Sequence, residues 1–164
     1  EPTDIWVNWQ ADEPFIKAPM IADLLSVATV TAAPQVWTLC TPLTDSTKLH
    51  DPNTVKVIRS HTNHALYFSR AAIPYQKTTP AHLVVLKHIG LYAYNTAALE
   101  RIATLPSCPI AEAENLEQLQ FLTAGIPILV SPTHQMSHGI DTLQDLLVAE
   151  QMLGANNDKQ ANLG

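Results

Sequence analysis

The run Ile5-Trp6-Val7-Asn8-Trp9-Gln10-Ala11-Asp12-Glu13-Pro14 is the stretch most suited to chemistry. An apolar segment stops at an amide and then at two carboxylates, and Pro14 ends the pattern. It reads as a buried strand whose C-terminal end delivers Gln10 and Asp12 to a loop. In open α/β sheets, ligands bind in the crevice beyond such strand ends. A carboxylate there suits Mg²⁺, which takes oxygen ligands and keeps waters or substrate phosphates in the rest of its shell. Asp141 is the carboxylate to pair with Asp12, because it too follows a strand and a loop and precedes a helix. Two such loops on one sheet edge can converge on one ion. Gly139-Ile140-Asp141-Thr142 equally suits a helix N-cap, and Asp12 also reads as an ordinary loop carboxylate.

Other polar residues stand where they can meet a ligand. Arg70 follows a strand, and a guanidinium there can grip a carboxylate bidentately or form a surface ion pair. His88 and Tyr92 lie four apart in an apolar run, so a strand puts both on one face, as ligand contacts or as core residues. Glu117 and Gln118 read as mid-helix residues. His61 and His64 have no Cys or third His at ligand spacing beside them and read as a turn. No Walker A loop, GxGxxG, GxSxG or HExxH occurs. Cys40 and Cys108 are isolated, with neither a CxxC nor a disulfide framework, which fits a reducing cytoplasm.

These residues need a scaffold, and the pattern supplies one. The 164 residues are 46% hydrophobic and 15% charged, enough for one domain with a real core. The net charge of -6, without a Lys/Arg cluster, argues against nucleic acid as a partner. No apolar run approaches the roughly 20 residues of a membrane helix. Helical spacing covers Pro19 to Val27. Strands are expected at Val36 to Leu39, Val55 to Ile58 and Ala65 to Phe68, the last two joined as a hairpin through His61–His64. Leu83 to Tyr94 is a long β-type run. Thr96 can cap a helix over Ala97 to Leu105, and a further helix runs from Glu114 to Ala124 with Gly125 as its stop. Ile126 to Val130 is a strand, and Asp141 or Thr142 starts a last helix that ends near Leu153. The expectation is a single α/β domain over residues 1–153 with a mostly parallel sheet, followed by a disordered tail at 154–164.

The segments together resemble the 3-deoxy-manno-octulosonate (Kdo) cytidylyltransferase family. The resemblance runs through Asn8 to Pro14, Asp51-Pro52-Asn53-Thr54-Val55-Lys56-Val57 and Ala65-Leu66-Tyr67-Phe68-Ser69-Arg70-Ala71-Ala72-Ile73-Pro74. It continues through Lys87 to Tyr94 and Glu114 to Leu119, and ends at Gly139 to Thr142. It implies a nucleotidyltransferase-like fold, Mg²⁺ and CTP, and formation of CMP-Kdo and pyrophosphate for lipopolysaccharide biosynthesis. By the same resemblance Asp12 and Asp141 would hold Mg²⁺. Gln10, Arg70, His88, Tyr92, Glu117 and Gln118 would contact the sugar acid. A cytoplasmic homodimer is implied too, with the region from Phe68 to Leu86 at its contact.

The chain also departs from that pattern. Trp9 stands where the family prefers a small aliphatic residue and Ala11 where it prefers Gly. Ala111 replaces an acid, Gln120 replaces Arg, and the stretch between Arg70 and His88 is short. A sibling branch activates 8-amino-Kdo, which makes that sugar the alternative substrate. The N-terminal portion that cradles CTP phosphates in the family is absent from this sequence. The expectation is therefore of the C-terminal part of the family fold, inactive alone, or of a binding or dimerisation module.

Overall fold

The computed structural model describes residues 4–29, 33, 35–78, 80, 82–140 and 142–161. In chain order its elements are β1 (Ile5–Trp9), α1 (Ala18–Val27), β2 (Val36–Pro42), a 3₁₀ turn (Ser46–Leu49), β3 (Lys56–Arg59) and β4 (Ala65–Ser69). β5 (Leu86–Asn95), α2 (Thr96–Ile102), α3 (Pro109–Glu114), α4 (Gln118–Thr123), β6 (Ile128–Pro132) and α5 (Leu143–Ala161) follow. The strands form one sheet in the order β4-β3-β5-β2-β6, with β1 paired to β5 beside that path. Only β2 with β6 is parallel. β1 and β2 both pair with β5 antiparallel, as does β3, and β3–β4 is an antiparallel hairpin. The sheet is thus mixed, not mostly parallel. Apolar periodicity reports which faces are buried and carries no sign of strand direction.

β2 and β5 form the centre and are buried on both faces. Trp37, Leu39, Ile89, Leu91 and Ala93 face a layer with Met20 and Leu24 of α1. Val36, Cys40, Tyr92 and Tyr94 face the opposite layer, with Phe68, Leu119, Phe121 and Val130. This two-residue alternation gives a helix–sheet–helix sandwich. Truncating Trp37, which is 2% exposed, to Ala would cost about 3–5 kcal/mol.

Several elements differ from the sequence expectation. β1 is an exposed strand and not a buried one, since Trp6 is 53% and Trp9 49% exposed. The helix expected over 114–124 is shorter, Gln118–Thr123, because Asn115 takes a left-handed φ of 49° that closes the preceding, unexpected α3 at Glu114. Asn95, not Thr96, caps α2, its side chain accepting the Ala98 N–H at 2.9 Å. Gly125, at φ 72°, ends α4 as expected. Thr142 and Asp145 bond reciprocally at the start of α5. That helix continues past Leu153 to Ala161, so the expected tail is helical that far.

Candidate active site

A cleft of ≈790 Å³ opens where the β1–α1 turn, the start of β5, the end of β4, the α3–α4 junction and the β6–α5 linker meet. Gln10, Asp12, Arg70, His88, Tyr92, Glu117 and Gln118 all line it. Residues from opposite ends of the chain's order, Gln10 and Gln118, thus share one concavity. Asp141, the other expected metal ligand, lies outside the described residues. Its chain neighbour Ile140 donates its N–H to the Asp12 carbonyl at 2.8 Å.

A bulge in β5 shapes the floor. Thr38 faces Tyr92 and the next β2 residue, Leu39, faces Ile89, so Gly90 and Leu91 have no counterparts in β2. Four residues of unbulged strand would separate His88 from Tyr92 by about 13 Å. Here their ring centroids are 5.3 Å apart. Gly90 leaves room at the bulge for the Gln10 side chain, since a Cβ there would stand 2.7 Å from Gln10 Oε1. Ala11 has no positive φ, so the residue type that replaces the family's usual Gly is accommodated without backbone strain.

Arg70 is held by the backbone. Its Nε donates to the Glu114 carbonyl at 2.7 Å, Nη1 to Pro52 O at 2.9 Å and Nη2 to Asn115 O at 3.2 Å. A guanidinium has five N–H donors, so one remains on each η nitrogen, the pair a carboxylate takes bidentately. The Glu114 carboxylate accepts the Ser69 hydroxyl at 2.6 Å and the Arg70 N–H at 2.9 Å. Beneath lies fully buried Lys56, whose Nζ donates to the carbonyls of Asp51, Thr54 and Arg70. Burial pushes the Lys56 pKa down.

His88 and Tyr92 are ring-packed, with Phe68 edge-on to His88 at 5.1 Å and Tyr94 stacked on Tyr92 at 5.9 Å. Burial, with Lys87 adjacent, drops the His88 pKa to about 3, so the imidazole is neutral at pH 7. The Tyr92 hydroxyl is buried and has no hydrogen-bond partner among the described residues, an unsatisfied group beside a ligand cleft. Gln118 is buried and opens α4, and exposed Glu117 precedes it; neither is the mid-helix residue expected from the sequence.

The Asp12 carboxylate is exposed and has no partner among the described residues. No group of three or more His, Cys, Asp or Glu forms a metal cage among those residues. That donor set fits Mg²⁺, which needs one or two carboxylates, and not a tetrahedral zinc site. Acids outnumber Lys and Arg around the cleft: Asp12, Glu13, Asp45, Asp51, Glu117 and Asp145 against Lys48, Arg70 and Lys87. An anionic ligand entering there needs a cation beside it.

Sequence reasoning missed Lys56, Thr38 and Ser137. A lone Lys inside the apolar strand run Val55 to Ile58 reads as an outward-facing residue, and the Ser137 linker has no regular structure. Glu13 is visible in the sequence as the second carboxylate of its run, but nothing there gives it a role.

The comparisons with known proteins agree with this geometry. The cytidylyltransferase family profile matches residues 1–128. The chain is 43% identical over 152 residues to a 3-deoxy-manno-octulosonate cytidylyltransferase of Legionella pneumophila strain Lens, covering 92% of this chain and 60% of that protein. It is 43% identical over 150 residues to the protein of the same name from Acidobacterium capsulatum, with the same coverage of 92% and 60%. A CMP:2-keto-3-deoxy-manno-octonic acid synthetase solved in complex with CTP superposes with a TM-score of 0.82 at 35% identity, over 93% of this chain and 63% of that one. The chain spans about 60% of the length of the curated relatives it matches. The fold is that of the solved nucleotidyltransferase, and the chain belongs to the cytidylyltransferase family.

Proposed function

We propose that this chain carries the sugar-acid site of a CTP:3-deoxy-manno-octulosonate cytidylyltransferase, which makes CMP-Kdo and pyrophosphate for lipopolysaccharide biosynthesis. The observation that carries the reading is the Arg70 guanidinium, with one free N–H on each η nitrogen, lining the cleft that also holds neutral His88 and the unsatisfied Tyr92 hydroxyl. A sugar acid offers both matching parts, a carboxylate for Arg70 and hydroxyls for the other two. Its 2-hydroxyl oxygen forms a bond to the α-phosphorus of CTP as the bond to pyrophosphate breaks, and the hydroxyl proton passes to solvent water. The chain's contribution is to hold that hydroxyl in line and to exclude water. His88, with a pKa of about 3, is too weak a base to take the hydroxyl proton at neutral pH and acts as a hydrogen-bonding group. Asp12, with Asp141, would hold Mg²⁺. When bound, Mg²⁺ offsets negative charge on the triphosphate and on the leaving pyrophosphate.

We place the protein in the cytoplasm, where CTP is made, consistent with the unpaired thiols of Cys40 and Cys108. Among the described residues no helix is long and apolar enough to cross a membrane. We further propose a homodimer built on the segment around Tyr75, which is 89% exposed, and Val84, 57% exposed.

The test is pyrophosphate release from CTP and Mg²⁺, with and without Kdo, by the full-length protein, since the chain alone is expected to be inactive. Release that depends on Kdo supports the assignment. Arg70→Lys should raise the KM for Kdo roughly tenfold or more, since an ammonium lacks the fork. Release that ignores Kdo, or an unchanged KM in that variant, rejects it.

A further inference from the structure

Glu13 is the carboxylate of the Gln10–Pro14 stretch that the proposed chemistry leaves without a role. The structure ties it down at both ends. Its carbonyl accepts the Trp9 indole N–H at 2.7 Å and its N–H donates to Gln10 O at 3.1 Å, so the backbone turn that holds Asp12 is braced from β1. A small aliphatic residue at position 9 has no N–H to give. The Glu13 side chain lies between two glycines: a Cβ at Gly90 or at Gly139 would stand 3.5 Å from it. Its Oε2 accepts the Ser137 hydroxyl.

The other partner is the linker from Thr133 to Ile140, which has no regular structure of its own. Such a segment is fixed only by the bonds it makes outward, against the entropy of about 1–2 kcal/mol per ordered residue. Its near end hangs on Thr133, whose N–H donates to Cys40 O at 2.9 Å and whose hydroxyl donates to Asp23 at 2.6 Å. Its far end hangs on three hydrogen bonds, Ser137 to Glu13, Lys87 Nζ to Ser137 O at 3.4 Å and Ile140 N–H to Asp12 O at 2.8 Å, besides the contacts of His138 with the Phe15 ring and, at 3.9 Å, with Asp145. Two of those three ties run to the turn that bears the Asp12 carboxylate.

We propose that Glu13 is a positioning residue: braced by Trp9 and bonded to Ser137, it locks the Asp12 turn to the linker entering α5 and so sets where the Asp12 carboxylate stands over the cleft. The second half of this statement rests on the reading of Asp12 as a metal-holding residue. The first half does not.

The test uses Glu13→Ala, Ser137→Ala, their double variant and Glu13→Gln, which keeps one acceptor oxygen. Two readouts are independent of turnover: hydrogen exchange at the Ile140 amide, and Mn²⁺ affinity from paramagnetic broadening. In Glu13→Ala, Ile140 exchange should rise about fivefold to tenfold while the amides of β5 stay protected. Ser137→Ala should act in the same direction and add nothing in the double variant. Glu13→Gln should recover part of the effect. Mn²⁺ affinity should fall roughly tenfold in Glu13→Ala. Ile140 exchange equal to wild type in Glu13→Ala overturns the lock. A loosened Ile140 with unchanged Mn²⁺ affinity overturns the positioning of Asp12. If the wild type itself binds no Mn²⁺ while Ile140 loosens in the variants, the metal reading of Asp12 fails and the lock stands.

Discussion

His88 Nε2 lies 3.1 Å from Thr38 Oγ1, and the single Thr38 hydroxyl hydrogen is directed to backbone carbonyls, at 2.9 Å from Leu91 O and 3.2 Å from Ile89 O. With its proton given to one of these carbonyls, Thr38 Oγ1 is free to accept from His88, the arrangement in which the imidazole carries its proton on Nε2. Nδ1 is left as an acceptor on a ring that lines the cleft. The extra carbonyl at Leu91 belongs to the β5 bulge, so the bulge brings both the ring and this acceptor to Thr38.

The low His88 pKa makes stability depend on pH in a definite direction. The folded value is about 3 and the ordinary value 6.5, so the unfolded chain takes up the proton first as pH falls. Stability is complete above about pH 6.5 and is lost between there and pH 3, by up to about 1.4 kcal/mol per pH unit. By about pH 5 the loss from this group should be about 2 kcal/mol. Urea unfolding of wild type and His88→Asn at about pH 7, 6 and 5 checks this. The wild type should show the steeper decline; equal slopes would contradict the buried neutral imidazole.

Gly90→Ala should separate folding from function. The new Cβ meets the far end of the Gln10 side chain, at 2.7 Å, and that side chain can swing away. The expected cost in stability is below about 1 kcal/mol, while Gln10 leaves its place in the cleft. The KM for Kdo should rise several-fold. A variant with wild-type kinetics would show that Gln10 does not touch the substrate.

How much of this is legible in the sequence depends on the kind of signal. The hairpin around Asn63, the helix after Pro19 and the stop at Gly125 rest on local chemistry, and each appears where the residues put it. The convergence of Gln10, Arg70, His88 and Gln118 on one cleft follows only from resemblance, since no local rule links positions so far apart. The direction of β5 is not legible, because alternation in His88 to Tyr94 looks the same read either way. Nor is the bulge at Gly90. The exposure of Trp6 and Trp9 escapes the sequence because an apolar run is the same string of letters on an edge strand as in a core. Asn115 hides the break between α3 and α4, since Leu116, Leu119 and Leu122 keep helical spacing across it.

Lys56 is predicted to be a stability residue whose effect reaches the site through Arg70. Lys56→Met keeps the volume and leaves three carbonyls, one buried and two half-buried, without this donor. The expected loss is about 3–5 kcal/mol, read by chemical denaturation. A loss under about 1 kcal/mol would mean that water replaces the ammonium without cost.

The proposed dimer has its own check. Tyr75→Asp puts a charge on the most exposed large hydrophobic side chain described in the segment between β4 and β5. Light scattering should show a dimer for the wild type and a shift toward monomer for the variant, since a two-fold contact places the change on both subunits. A monomeric wild type, or a dimer indifferent to that substitution, counts against this interface.

The central claim is that this cleft takes a sugar acid by its carboxylate, and ¹⁵N-resolved NMR titration with Kdo tests it most directly. The amides of Gln10, Gly90 and Asn115 should shift on addition of Kdo. The methyl ester of Kdo, which has no carboxylate for Arg70, should leave them in place at the same concentration. Shifts of equal size with acid and ester, or shifts centred on the turn from Ser60 to His64, would contradict the account.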